Sequence, residues 1–103
     1  MKNRRNHSST EEEYFFKIQF KTIDDVNGFC EIMRGLDRFV TSADIRSGTY
    51  IVDAKSLMGI FSLNLSKTVE VWFKITLNDM LHSMDMDKYF AAKIEKWLVK
   101  EDK

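Results

Sequence analysis

The sequence predicts an α+β domain, an open-faced sandwich in which a four-stranded, mainly antiparallel sheet carries three helices on one face. Three observations predict it. Residues 14–21 and 68–75 alternate apolar and polar side chains with period two, the pattern of half-buried strands. Residues 22–39 and 86–98 instead space their apolar residues as one face of a helix. The order of these patterns, β-α-β-β-α-β-α, is most simply satisfied by two layers, a sheet whose apolar face is covered by helical stripes.

The elements follow in order. Residues 1–13 have no periodic apolar signal. A basic cluster (Lys2, Arg4, Arg5) gives way to three glutamates, which predicts a solvated, mobile tail ahead of a domain spanning 14–100. In the first strand Phe16, Ile18 and Phe20 face one way, and Lys17, Gln19 and Lys21 the other. In the first helix Val26, Phe29, Ile32, Met33 and Leu36 form the stripe. Thr22 and Asp25 have capping-box spacing, Asp24 and Asp25 suit the positive end of the helix dipole, and Gly35 and Asp37 allow a stop. Residues 38–54 read as a hairpin turning at Ser47-Gly48. In the last strand Val69, Val71, Phe73 and Ile75 share a face. A polar connection, 76–85, then leads to a helix with Met86, Phe90, Ile94, Trp97 and Leu98 as its stripe, so Trp97 reads as core.

Composition narrows the function. The 44% hydrophobic and 31% charged fractions are those of a globular chain of one domain, and the formal net charge of zero gives no electrostatic support to general nucleic-acid or anionic-membrane binding. No apolar run reaches the roughly 20 residues that span a bilayer and no signal-peptide core opens the chain, so the expected location is cytoplasmic. Cys30 is the single cysteine and reads as a small semi-buried side chain with Arg34 as its one neighbouring cation. His7 and His82 have no partners at metal-ligand spacing, and no phosphate loop or nucleophile elbow is present. Neither an enzyme, a cofactor nor a metal is expected.

The stretch Asp-Ala-Lys-Ser-Leu-Met-Gly-Ile-Phe-Ser-Leu, residues 53–63, is the exception. It is too short for an ordinary core helix, and Gly59 spoils it as a strand. It reads as a one- or two-turn helix over 56–62 with Ser56 at the N-cap. A helix so short cannot bury every apolar side chain, so Leu57, Met58 and Phe61 are expected to form a partner-sized patch. Phosphorylation of Ser56 would put about two negative charges at its edge.

These residues resemble a family. Ala-Lys-Ser-Leu-Met-Gly is similar to the regulatory-serine motif of HPr, the histidine-containing phosphocarrier protein of bacterial sugar phosphotransferase systems, and the element order over roughly 14–100 agrees with the HPr fold. The resemblance implies that Ser56 is the serine phosphorylated by HPr kinase/phosphorylase. It also implies that Leu57, Met58 and Phe61 belong to the surface that meets enzyme I, the kinase and catabolite control protein A. Counting back without gaps puts the family's phosphoacceptor histidine at Asp25, with Val26, Asn27 and Gly28 where alanine, arginine and proline follow. The chain then resembles the catabolite-repression paralogue of HPr, which lacks the active histidine and signals through the serine. The expectation is a non-catalytic regulatory or protein-interaction module.

Two alternatives stay open. One is a true phosphocarrier with an unconventional acceptor. Asp25, with Asp24 beside it, would repel an incoming phosphoryl group, and an aspartyl acceptor normally has a metal or cationic clamp. The other is a dimerising or ligand-binding module using the open sheet face, where Phe15 and Trp72 are out of phase with the inward residues. The partners expected are proteins, with no nucleic acid and no membrane, and the chain is expected to be a monomer or weak homodimer. A fixed charge at Asp25 could also mimic a phosphorylated histidine and bias partner choice.

Overall fold

Period-two alternation becomes the inward face of the sheet. The computed structural model describes residues 2–5, 11–76 and 85–99. Its strands are β1 (Lys2–Arg5), β2 (Glu11–Ile18), β3 (Val40–Ser47), β4 (Tyr50–Asp53) and β5 (Val69–Thr76). Its helices are α1 (Ile23–Arg34), α2 (Leu57–Phe61) and α3 (Met86–Lys93), closed by a 3-10 turn at Glu95–Trp97. Tyr14, Phe16 and Ile18 of β2, Ala43 and Ile45 of β3, and Val69, Val71, Phe73 and Ile75 of β5 are all buried. They share one core with Val26, Phe29, Cys30 and Met33 of α1, Ile60 of α2, and Met86 and Phe90 of α3, so the helices cover a single face. Burying a side chain such as Phe29 or Phe90 contributes about 1.5–3 kcal/mol, and Phe90 stacks flat on Phe73 with ring centroids 4.2 Å apart.

The sheet order is β1-β2-β5-β3-β4, with every pairing antiparallel. The α+β class and the four predicted strands are present, and a fifth strand corrects the expected tail. Lys2–Arg5 pair with Phe15 back to Glu12, and β2 starts at Glu11 rather than Tyr14. Edge pairing needs only backbone hydrogen bonds, so a polar tetrapeptide can join a sheet without an apolar pattern to announce it. Glu12 faces inward and is 8% exposed, accepting a hydrogen bond from the Tyr14 hydroxyl.

The remaining elements follow local rules. Thr22 caps α1 and forms the full capping box with Asp25. The hairpin turns one residue later than expected, at Gly48-Thr49 between the paired Ser47 and Tyr50, with Gly48 at φ 61°. The last helix is shorter than its apolar stripe. It breaks at Ile94 (φ −117°), and the chain returns extended alongside the end of β2. There Gln19 N–H donates to the Trp97 carbonyl (2.9 Å) and Val99 N–H to the Lys17 carbonyl (3.0 Å). Trp97 is buried against Phe20 and Phe29, as predicted. The Tyr89 hydroxyl donates to Asp37 and ties α3 to the loop after α1; burial, then the Asp37 carboxylate, pushes its pKa up to about 12. Residues 6–10 and 77–84, with His7 and His82, lie outside the described residues. No helix among the described residues is long and apolar enough to cross a membrane.

Candidate docking site around the second helix

The corner that leads into α2 is built by short backbone bonds. Ala54, fully buried, donates to the Ala43 carbonyl (2.8 Å). The Asp53 carboxylate accepts from Lys55 N–H (2.8 Å), and the Asp53 carbonyl accepts from Ser56 N–H (3.0 Å). The chain thus leaves the sheet edge with Ser56 in extended conformation (φ −97°, ψ 104°), the geometry of an N-cap. Its Oγ accepts from Gly59 N–H at 3.0 Å, and its carbonyl accepts from Ile60 N–H at 3.0 Å.

Gly59 has a local reason. A Cβ there would stand 3.0 Å from Ser56 Oγ and 3.3 Å from Val52 Cβ, so any larger residue would crowd the cap and the strand beneath it. The glycine that spoils a strand pattern keeps the serine's surroundings open.

Five residues of helix can hide little. Ile60 is fully buried and anchors α2, and Leu57 is half-buried against the core. Met58 is 78% exposed and Phe61 38% exposed, one turn apart. The expected apolar patch therefore includes Met58 and Phe61, with Leu57 half inside. Beside it the first turn of α1 exposes Ile23 to 68%. Between the two helices lies an open apolar depression of about 370 Å³, floored by Phe20 and Val26, walled by Ile23, Phe61 and Leu65, and rimmed by Lys21, Thr22 and Ser66. Ile23, Phe20 and Leu65 are site residues that sequence reasoning missed. An apolar residue at the first helical position, ahead of two aspartates, was the available signal.

Asp25 is already occupied. Its Oδ2 accepts from Lys21 N–H (2.8 Å) and Thr22 N–H (3.2 Å), while its own N–H donates to Thr22 Oγ1 (3.0 Å). The Lys21 N–H, above all, lowers its pKa against a smaller opposing effect of burial. The Trp97 indole, the Thr22 N–H and the Lys96 charge favour the ionised form further. Asp25 is thus an ionised capping carboxylate.

Comparison with protein-family models, curated proteins and solved structures finds no match. The site is therefore read from its own geometry.

The other sequence-derived residues fall elsewhere. Phe15 and Trp72 lie on the face opposite the helices, as expected, but they stack on each other (centroids 4.5 Å apart, 11° between planes). The Arg46 guanidinium sits 4.1 Å from the Trp72 ring centre, and the indole N–H donates to Glu70 (2.8 Å). Strands β2 and β3 thus flank the indole with planar groups of this chain. The nearby hollow holds only about 50 Å³, too little for an organic ligand. Cys30 is buried, its thiol 3.8 Å from the Ala54 carbonyl. Burial pushes its pKa up, with Arg34 opposing and Asp53 adding, the opposite of an activated thiolate. Among the described residues no cluster of His, Cys, Asp or Glu could hold a metal ion.

Proposed function

We propose that this chain is a non-catalytic, HPr-like regulatory or protein-interaction module whose docking surface is α2 with the first turn of α1, switched by phosphorylation of Ser56. One observation carries the reading. Ser56 caps a five-residue helix whose first turn holds no acidic residue, directly before a largely exposed Met58 and a partly exposed Phe61. Apolar side chains left in water beside a depression of ligand-like size favour a protein partner. A phosphate on Ser56 would add negative charge at the edge of that surface, changing which partners it accepts. The element order and the Ala-Lys-Ser-Leu-Met-Gly motif support the family likeness, and with it an open-faced sandwich of HPr type and partners such as HPr kinase, enzyme I-like proteins or a transcription regulator.

The carrier alternative draws no support from Asp25, whose carboxylate is engaged by two backbone donors and is held ionised. The open-face alternative is weakened by the Phe15–Trp72–Arg46 stack, in which the chain's own groups occupy the aromatic surface.

The test is incubation with HPr kinase and ATP, read by intact mass, with Ser56→Ala as control. The expected outcome is one phosphate on the wild type and none on the variant. No mass gain on the wild type removes the serine switch. Incubation with enzyme I and phosphoenolpyruvate tests the carrier reading, for which an acid-labile or hydroxylamine-sensitive adduct would be the signature.

A further inference from the structure

β1 reads Lys-Asn-Arg-Arg and has no apolar side chain to bury, yet it pairs with β2 in one register. Ordering four residues costs backbone entropy that their hydrogen bonds, made in exchange for bonds to water, barely offset. The register adds charge. Facing residues of an antiparallel pair share a face, and Arg5 stands opposite Glu12 and Arg4 opposite Glu13. Among the described residues Glu12 alone is both charged and buried, on the face that the helices cover. Its other facing residue, on β5, is Ile75, so within the sheet only β1 sets a cation opposite it. The Tyr14 hydroxyl gives Glu12 a hydrogen bond but no charge, and a buried carboxylate without a counter-charge is costly.

We infer that β1 is an electrostatic latch, with Arg5 and Arg4 as the counter-charges of Glu12 and Glu13, closed at low ionic strength and released at high. Release returns Glu12 to water and makes residues 12–15 of β2 the sheet edge. The core stays closed, because β2 remains paired to β5, and Tyr14, Phe16 and Ile18 remain packed under the helices. Glu13 has Lys74 of β5 opposite it as well as Arg4, so it keeps a facing cation when the latch opens, and Glu12 does not. Glu12 and Arg5 are therefore the pair on which closure turns. The latch lies at the opposite edge of the sheet from β4, the strand that leads into α2, and it stands or falls apart from the docking surface.

Hydrogen exchange of the backbone amides of residues 2–5, in the full chain, reads the latch. Raising NaCl from about 0.01 M to about 1 M shortens the Debye length from roughly 30 Å to roughly 3 Å. Exchange in β1 is expected to speed up about tenfold over that range, while that of β5 does not change. At low salt Arg5→Gln and Glu12→Gln, the second of which keeps an acceptor for Tyr14, should each speed β1 exchange about tenfold. The double variant should be no faster than either, because each single change already breaks the pair. Lys2→Gln removes the same charge from a residue that faces Phe15, and should change β1 exchange no more than about twofold. β1 exchange that does not respond to salt overturns the inference. So do additive effects of the two Gln substitutions, a Lys2→Gln effect equal to that of Arg5→Gln, or exchange in β5 that quickens together with β1, which would make the opening global.

Discussion

The N-termini of α1 and α2 begin with the same chemistry and finish differently. Both are capped by a hydroxyl residue in extended conformation whose side chain accepts from the third helical N–H, Thr22 from Asp25 and Ser56 from Gly59. In α1 that third residue is an aspartate, which closes the box, and Asp24 adds a second negative charge in the first turn. In α2 it is glycine and the first turn has no acid. The positive end of α1 is therefore already neutralised, whereas that of α2 is met only by a neutral hydroxyl. The helices differ in anchoring too, since α1 buries four residues and α2 one. One helix is anchored deep in the core, and the other leaves Met58 and part of Phe61 in solvent.

The largest effect should separate these roles. Phe29→Ala removes a fully buried ring from α1 and is expected to cost about 3–5 kcal/mol by denaturant unfolding. Phe61→Ala, at a partly exposed position, should cost no more than about 1 kcal/mol. Equal losses would mean that α2 is core and offers no docking surface. Next come the caps. Thr22→Ala should lower stability by about 1 kcal/mol, and Ser56→Ala by less, because its helix is only five residues long.

The glycines sharpen the comparison by sign. Gly28 lies inside α1 with its nearest prospective neighbour, Trp97 Cζ2, at 3.6 Å, so Gly28→Ala should stabilise by up to about 1 kcal/mol through helix propensity. Gly59→Ala gains the same propensity but meets Ser56 Oγ at 3.0 Å, and a lower Tm is expected. A higher Tm would show that the cap has room to move. The smallest effect is that of pH. The native pKa of Asp25 is lowered, so its contribution is complete above the unfolded pKa of about 3.9 and fades as pH falls through the native value. The stability difference between wild type and Asp25→Asn should therefore shrink on acidification, while that between wild type and Ser56→Ala should change little over the same range.

Several elements could be read without coordinates because their information is local. The alternation of Val69 to Ile75, the stripe of α1, its capping box and the Ser56 cap each depend on residues a few positions apart. β1 could not be read. Its four residues are polar and carry no apolar period, and only the neighbouring β2 edge makes them a strand. The end of α3 was hidden for a related reason. The apolar spacing continues through Ile94 and Trp97, but the backbone leaves the helix to pair with the end of β2. The depression between the helices needs Ile23 and Phe61 side by side, a juxtaposition of residues far apart in the chain.

What the amino-acid order determined by itself is the kind of each main element, the face each buries and the presence of a hydroxyl at the head of α2. These are consequences of period and of caps, which act within a turn or a strand. Tertiary structure decided the fifth strand, the stacking of Phe15 on Trp72 beside Arg46, the commitment of Asp25 to the Lys21 and Thr22 amides, and the exposure of Ile23, Ile51 and Met58. Exposure and pairing depend on which distant segments arrive beside a residue, and local periodicity has no reach over that distance.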